Sequence, residues 1–205
     1  MEYAMIVFGY LVGSIPFGLI LGKLAGIDVR TTGSGNIGAT NVNRLLGKKM
    51  GAITLIADAG KAVLPMLIAD WVFPDSEDLF VVYATGGAAF LGHLYPLYLK
   101  FKGGKGVATA LGIFIYIQPV AIIFCLAVFV GVVKVSGYVS LGSLLTSALM
   151  PVLVWGLEGV SPAFYLALFV AVLIWLKHRE NIWRLLNHEE NSFKKKVQSP
   201  VPDDH

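Results

Sequence analysis

Charge is what this sequence has least of. Of its 205 residues only 14% are charged, against 56% hydrophobic, which leaves too little polar surface to cover a soluble domain of this length and points to a membrane protein. Cysteine is nearly absent too. Cys125 stands alone in an apolar run, so the chain offers neither an intramolecular disulfide nor a thiolate cluster, and Cys125 reads as core filler. The first apolar stretch begins almost at Met1, is longer than a signal-peptide core and lacks a basic flank or small-residue cleavage site, so it is expected to stay attached as a span. No Asp-rich cluster suits a pair of magnesium ions. No Gly-x-Ser-x-Gly elbow presents a nucleophilic serine, and no histidine is followed five residues later by aspartate. Neither a metal nor a cofactor is expected, nor a nucleic acid partner.

What is present is apolar and helical in pattern. Runs bounded by Gly, Pro and charge cover residues 3–24, 52–73, 79–97, 107–117, 120–133, 138–157 and 162–176. At about 20 residues per span, about seven transmembrane helices use most of the chain and leave no room for a separate soluble domain. The expected fold is all-α, a polytopic integral membrane protein with one domain over residues 1–191 and a disordered cytoplasmic tail over 192–205. The fourth and fifth runs are short, meet at Gln118 and Pro119, and read as a tight hairpin rather than one broken element. With the N-terminus outside, Lys23, Arg30, Arg44, Lys48, Lys49, Lys100, Lys102, Lys105, Lys134, Lys177, Arg179, Arg184, Lys194, Lys195 and Lys196 fall on the cytoplasmic side. The other side receives Glu2, Asp75, Glu77, Asp78 and Glu158 and no Lys or Arg. That segregation sets the orientation, C-terminus cytoplasmic. Lys61 alone lies within a span, three residues from Asp58, and the two read as a pair that braces the interior, since isolated charges at that depth are costly.

Three unusual segments share the cytoplasmic side: "TTGSGNIGATNVNR", "KFKGGKGVAT" and "HRENIWRLL". The first fits a Gly-x-Gly-x-x-Gly fingerprint at Gly33, Gly35 and Gly38, but a P-loop needs lysine where Ala39 stands. Its glycines can turn backbone N–H groups inward, while Ser34, Asn36, Thr40, Asn41 and Asn43 add neutral hydrogen-bonding groups and Arg44 a forked donor, a set that suits an oxyanion. Asn41 reads as the cap of a short helix ended by Gly47. A glycine-rich connection to a capped interfacial helix accounts equally well for this segment alone. In the second, Gly103, Gly104 and Gly106 surround Lys105 just before an apolar helix begins, where orphan amides and the helix dipole favour an anion. Lys100 reads as a headgroup anchor and His93, upstream, as an interfacial structural histidine. In the third, His178 and Asn181 share a helix face, and Glu180 with Arg184 reads as an exposed pair of i, i+4 spacing.

In order and spacing these segments, written "GSGNIGATNVNR", "GHLYP...FKGGKGVAT" and "HRENIWRLL", closely resemble the three cytoplasmic motifs of the acyl-phosphate:glycerol-3-phosphate acyltransferases, the PlsY family. "GSIPFG" at residues 13–18 matches as well. The resemblance implies a bacterial inner-membrane enzyme with seven spans and a cytoplasm-facing site. It implies transfer of a fatty acyl group from acyl phosphate to the sn-1 hydroxyl of glycerol 3-phosphate, giving lysophosphatidic acid and phosphate. Phosphate binding then falls to Ser34, Arg44, Lys105, His178 and Asn181, with Ser34, His178 and Asn181 as catalytic residues and Gly103, Gly104 and Gly106 presenting amides to the donor. The partners implied are the two substrates and membrane lipids, and the chain is expected to act as a monomer. An activated donor also explains why no strong base or protein nucleophile is found. A small membrane transporter of an organic phosphate is the rival reading; against it, the polar motifs sit on one side only and no inverted repeat is evident.

Overall fold

The computed structural model describes residues 1–74 and 79–193; the acidic residues Asp75, Glu77 and Asp78 and the basic run 194–196 of the sequence reading lie outside the described residues. Each expected apolar run is helical, and no strand occurs among the described residues. In chain order the helices are α1 (Glu2–Gly13), α2 (Phe17–Leu24), α3 (Ala39–Val72), α4 (Phe80–Leu94), α5 (Val107–Ile117), α6 (Pro119–Ser136), α7 (Val139–Glu158), α8 (Pro162–Lys177) and α9 (Arg179–Leu186), with one 3-10 turn at Leu97–Leu99.

Two expected runs take a different form. The first is α1 and α2 broken at Ile15 and Pro16: proline supplies no N–H and disfavours helix at the residue before it. The freed carbonyl of Ile15 accepts from Lys61 Nζ at 3.1 Å. The second run is joined end to end with the short helix expected before it: the 34 residues of α3 are two helical segments that meet at Gly47, where the short helix ends as expected, with a φ of 83° that only glycine adopts freely. Among the described residues four helical segments, α1 with α2, α3, α6 and α7, are long and apolar enough to cross a membrane, or five if α8 and α9, bent by 60°, form one span. With 11 residues, α5 reaches about 16 Å, roughly half of a ~30 Å hydrocarbon core. The hairpin at Gln118 is present: α5 ends there and α6 opens with Pro119 at its first position.

Close packing depends on small residues. A side chain added at Gly13 would strike the Ala89 backbone, and one added at Gly112 would strike Ala59, so α1 lies against α4 and α5 against α3 at near backbone contact. Met66, Phe90, Ile113 and Val154 fill the core. Trp71, Ile56, Ile123, Trp155 and Val172 are exposed on the outside, as befits helices solvated by lipid. Following the contacts, the chain runs toward one end of the bundle in α1, α4, α6 and α8 and away from it in α3, α5 and α7. The three motifs meet at that end, opposite to Met1.

Candidate active site

The loop before α3 is built around one side chain. Asn41 is buried, and its Oδ1 accepts the Ser34 N–H at 2.8 Å, while its Nδ2 donates to the carbonyls of Val29 (2.9 Å), Asn36 (2.9 Å) and Thr32 (3.2 Å). The helix cap expected at Asn41 falls instead on Gly38, and Asn41 sits inside the first turn, facing back into the loop. A Cβ at Gly33 would meet the Asn41 side chain, and Gly33 and Gly35 take positive φ. The glycines therefore let the loop wrap the asparagine, which leaves the Ser34 hydroxyl and Arg44 on the cavity side.

The second loop lies flush on the end of α4. Gly104 N–H donates to the His93 carbonyl at 3.1 Å. A side chain at Gly103 would hit the His93 and Leu94 carbonyls, and one at Gly106, with φ of 86°, the Phe90 ring. The sequence reading had all three glycines presenting amides; that of Gly104 is already engaged. The first backbone bond of α5 runs from Ala110 N–H to the Gly106 carbonyl (2.8 Å), so the amides of Val107 and Ala108 precede the ladder and have no acceptor within it.

The third segment turns at His178, between α8 and α9. Its Nδ1 meets the Ile174 carbonyl at 2.8 Å, which makes Nδ1 the protonated nitrogen and leaves Nε2 with a free lone pair. Burial pushes the His178 imidazole down to about 4, so the ring is neutral at physiological pH. Asn181 accepts a hydrogen bond from Lys105 Nζ and donates to Glu190 Oε1 at 2.7 Å, joining the second and third motifs. Burial, then the nearby Arg184 guanidinium, lower the Lys105 ammonium from its ordinary value.

Glu190 was not among the residues that the sequence reading singled out. Its carboxylate takes hydrogen bonds from Ser140 (2.9 Å), Asn181 (2.7 Å) and Arg184 (2.8 Å). Burial raises such a group, but these donors outweigh it and hold the carboxyl below its ordinary value. Arg184 thus pairs with Glu190 and not with Glu180 as the helix spacing suggested. Phe193, on the tail side of the expected boundary, donates its N–H to the Gly137 carbonyl at 2.7 Å; residues 194–205 of that tail lie outside the described residues.

Two cavities adjoin here. The polar one, about 170 Å³, is lined by Ser34, Arg44, Lys105, Gly106, His178 and Asn181, with Asp58, His93 and Glu190 also on its wall. Gly103 and Gly104 do not line it. The second, about 530 Å³, is largely apolar and runs between α3, α5, α6, α7 and α8 past Leu55, Phe114, Cys125, Met150, Ala167 and Val170. Thr40, Val107, Ala108, Val139 and Ser143 line both, so the unpaired amides of α5 stand at the junction. Among the described residues no cluster of three or more His, Cys, Asp or Glu could hold a metal ion. The arrangement can grip a phosphorylated headgroup beside an alkyl chain.

Known proteins have the same arrangement of sequence. The profile of the family described as glycerol-3-phosphate acyltransferase matches residues 3–188. A glycerol-3-phosphate acyltransferase of Desulfotalea psychrophila is 51% identical over 197 residues, covering 96% of this chain and 100% of that protein. One of Geotalea daltonii is 50% identical, covering 95% and 98%. The crystal structure of PlsY (YgiH), an integral membrane glycerol 3-phosphate acyltransferase, in its glycerol 3-phosphate form has a TM-score of 0.88 at 41% identity, covering 94% of this chain and 95% of that one. Its lysophosphatidic acid form gives 0.85 at 41% identity, covering 93% and 94%.

Proposed function

The chain belongs to the glycerol-3-phosphate acyltransferase family, and on that premise we propose how its site carries out the reaction and which donor it uses. It is an integral membrane enzyme that acylates glycerol 3-phosphate. The donor is acyl phosphate, and the products are lysophosphatidic acid and inorganic phosphate. One observation carries this reading: a polar cavity rich in phosphate-binding groups opens, at the unpaired amides of Val107 and Ala108, into an apolar cavity of a size for an alkyl chain.

Ser34, Arg44, Lys105 and Asn181 hold the acceptor phosphate, and His178, expected with them, has only an acceptor nitrogen free and faces the acceptor's hydroxyl instead. The acyl chain lies between α5 and α8, which brings the acyl carbon to the junction. There Lys105 and the first-turn amides of α5 face the charge that develops as the sn-1 hydroxyl attacks, the role of an oxyanion hole. The carbon–oxygen bond to the glycerol forms and the bond to phosphate breaks. His178 Nε2 accepts a hydrogen bond from the attacking hydroxyl. The oxygen that leaves the acyl carbon gains a full negative charge and is a far stronger base than the neutral ring, so the proton of the hydroxyl ends on the departing phosphate. No protein nucleophile is required, because the mixed anhydride arrives activated.

The bundle is a single membrane domain with seven segments, in the bacterial inner membrane, with Met1 outside and the site facing the cytoplasm. Support comes from the basic residues gathered at the site end and from the alternating direction of the helices. The chain works as a monomer, since all the named groups come from one copy.

The test is turnover of the purified protein with glycerol 3-phosphate and donors of matched chain length, acyl phosphate against acyl-CoA, in the absence of divalent metal. Acyl phosphate should react with stoichiometric release of phosphate, and the thioester should be slower by about a thousandfold, the loss of two contacts of about 2 kcal/mol each. Comparable rates would refute the donor assignment.

A further inference from the structure

Beneath the second loop lies a buried charge cluster to which the mechanism has given no part. Asp58 and Lys61 form an ion pair at 3.0 Å, and both are almost completely buried. Lys61 also reaches the Ile15 carbonyl at the break between α1 and α2. On the other side of Asp58 stands the His93 ring, its Nδ1 at 3.7 Å from Asp58 Oδ1. That is too long for a hydrogen bond, and Nδ1 has no other partner. The opposite edge of the ring, Nε2, is the first atom that a side chain on Gly104 would strike. The His93 backbone holds the same glycine through the 3.1 Å bond from Gly104 N–H. One residue thus supports Gly104 from below with its ring and from the side with its carbonyl. The residue that follows in the chain is Lys105.

We propose that His93 is a positioning residue of the acyl transfer: with Asp58 behind it, its imidazole sets the height of the loop at residues 103–106 and so aims Lys105 and the first-turn amides of α5 at the acyl donor. This rests on the assignment of those groups to the donor and the developing charge. The physical argument is one of space. Gly104 has no side chain because the ring occupies that volume, so removing the ring leaves a hole into which the loop can sink. The three donors it carries then shift together. The acceptor grip of Ser34 and Arg44 is built on a different loop around Asn41 and stays in place. Lys105 also serves the acceptor phosphate, so acceptor affinity weakens somewhat, but the loss falls most heavily on the chemical step, where all three donors act.

A double-mutant cycle tests this. His93→Ala and Gly104→Ala each should lower kcat about a hundredfold, the scale of a misplacement of about 1 Å, while KM for glycerol 3-phosphate, still held by Ser34 and Arg44, rises by a much smaller factor. In the first the support is lost, and in the second the methyl collides with the ring. Together, His93→Ala with Gly104→Ala should recover most of the loss of either single change, because the methyl takes up part of the vacated space. Losses that multiply in the double variant would overturn the proposal, as would a change confined to KM for glycerol 3-phosphate. If His93→Ala does not accumulate as folded protein, His93→Asn takes its place in the same cycle. Wild-type turnover with acyl-CoA in place of acyl phosphate would refute the donor assignment alone, and the same cycle then runs with the thioester.

Discussion

Asn41→Ala removes no group that touches substrate, yet it should disable the acceptor site. The side chain is 1% exposed and makes four hydrogen bonds, one accepted from Ser34 N–H and three donated to the carbonyls of Val29, Thr32 and Asn36. Two amide hydrogens serve three carbonyls, so the bonds amount to about three full ones. At about 1 kcal/mol each, net, the loop loses on the order of 3 kcal/mol. If the whole of that appears as displacement of Ser34 and Arg44, kcat/KM for glycerol 3-phosphate falls by about two decades, since each 1.36 kcal/mol is tenfold. Asn41→Asp separates hydrogen bonding from volume. It preserves the shape and the acceptor facing Ser34, but turns carboxylate oxygen toward the three carbonyls, and should be no better than alanine. Steady-state kinetics over glycerol 3-phosphate concentration, with thermal unfolding in detergent as control for folding, decides the matter. Wild-type kcat/KM in Asn41→Ala, or in Asn41→Asp, would refute the scaffold argument.

Other consequences are testable by similar means. Arg44→Ala and Lys105→Ala each remove a charged partner from a desolvated phosphate and should cost about 2 to 5 kcal/mol in kcat/KM while the protein still elutes normally; Lys100→Ala, outside both cavities, should be mild. His178 should make stability pH-dependent. Its folded value of about 4 lies below the usual 6.5, so between the two the unfolded chain binds a proton that the folded chain does not. Stability is then full above about 6.5 and declines as pH falls toward 4, by roughly 3 kcal/mol; the slope of unfolding temperature with pH should flatten in His178→Gln. Ala167→Phe should shorten the preferred donor. Ala167 lies 11 residues before His178, about 16 Å along the helix, and a phenyl group there fills the far part of the apolar cavity. Long-chain acyl phosphates should lose about tenfold or more in kcat/KM relative to short ones, in line with an overpacking cost of about 1 to 3 kcal/mol.

Residue type pointed to the three segments, and the resemblance of those segments to a known family selected the individual residues. Ser34, Arg44, Lys105, His178 and Asn181, which belong to three segments far apart in the chain, line one cavity, and Asp58 and Lys61 pair as their three-residue spacing required. What could not be read locally was the partner of each polar group. Asn41 beside a helix start looks like a cap because capping is a local rule; its true acceptors are carbonyls up to 12 residues back, brought near by glycine turns. Arg184 was assigned to Glu180 by helix spacing, but the chain reverses after α9, through a positive φ at His188 and a bond from Glu189 N–H to the Arg184 carbonyl at 2.8 Å. That reversal delivers Glu190, and nothing in the local pattern announces it. The glycines of the second motif were read for their amides, whereas the structure uses them chiefly for lack of volume against α4. The apolar cavity escaped notice because its walls come from five helices, α3 and α5 to α8, and in α5 to α8 the sequence is so generally apolar that no periodicity marks a face.

The shortness of α5 has a chemical reason. A helix that spanned the whole core would place its first amides at the headgroup surface, in water, where a hydrogen bond to an anion gains little. With 11 residues, α5 begins inside the bundle, and its amides open at the boundary between the polar and apolar cavities. There the dielectric is low and the same donors act far more strongly on developing charge. The remaining depth must then be crossed by irregular backbone, which is tolerated at membrane depth only where protein buries it or it lines a cavity. The loop at residues 103–106 meets both conditions, being pressed against α4 on one face and open to the site at Lys105 and Gly106. A side chain at 103, 104 or 106 would lift it from α4, so the packing that makes the irregular backbone tolerable is also what brings the amides within reach of the substrate.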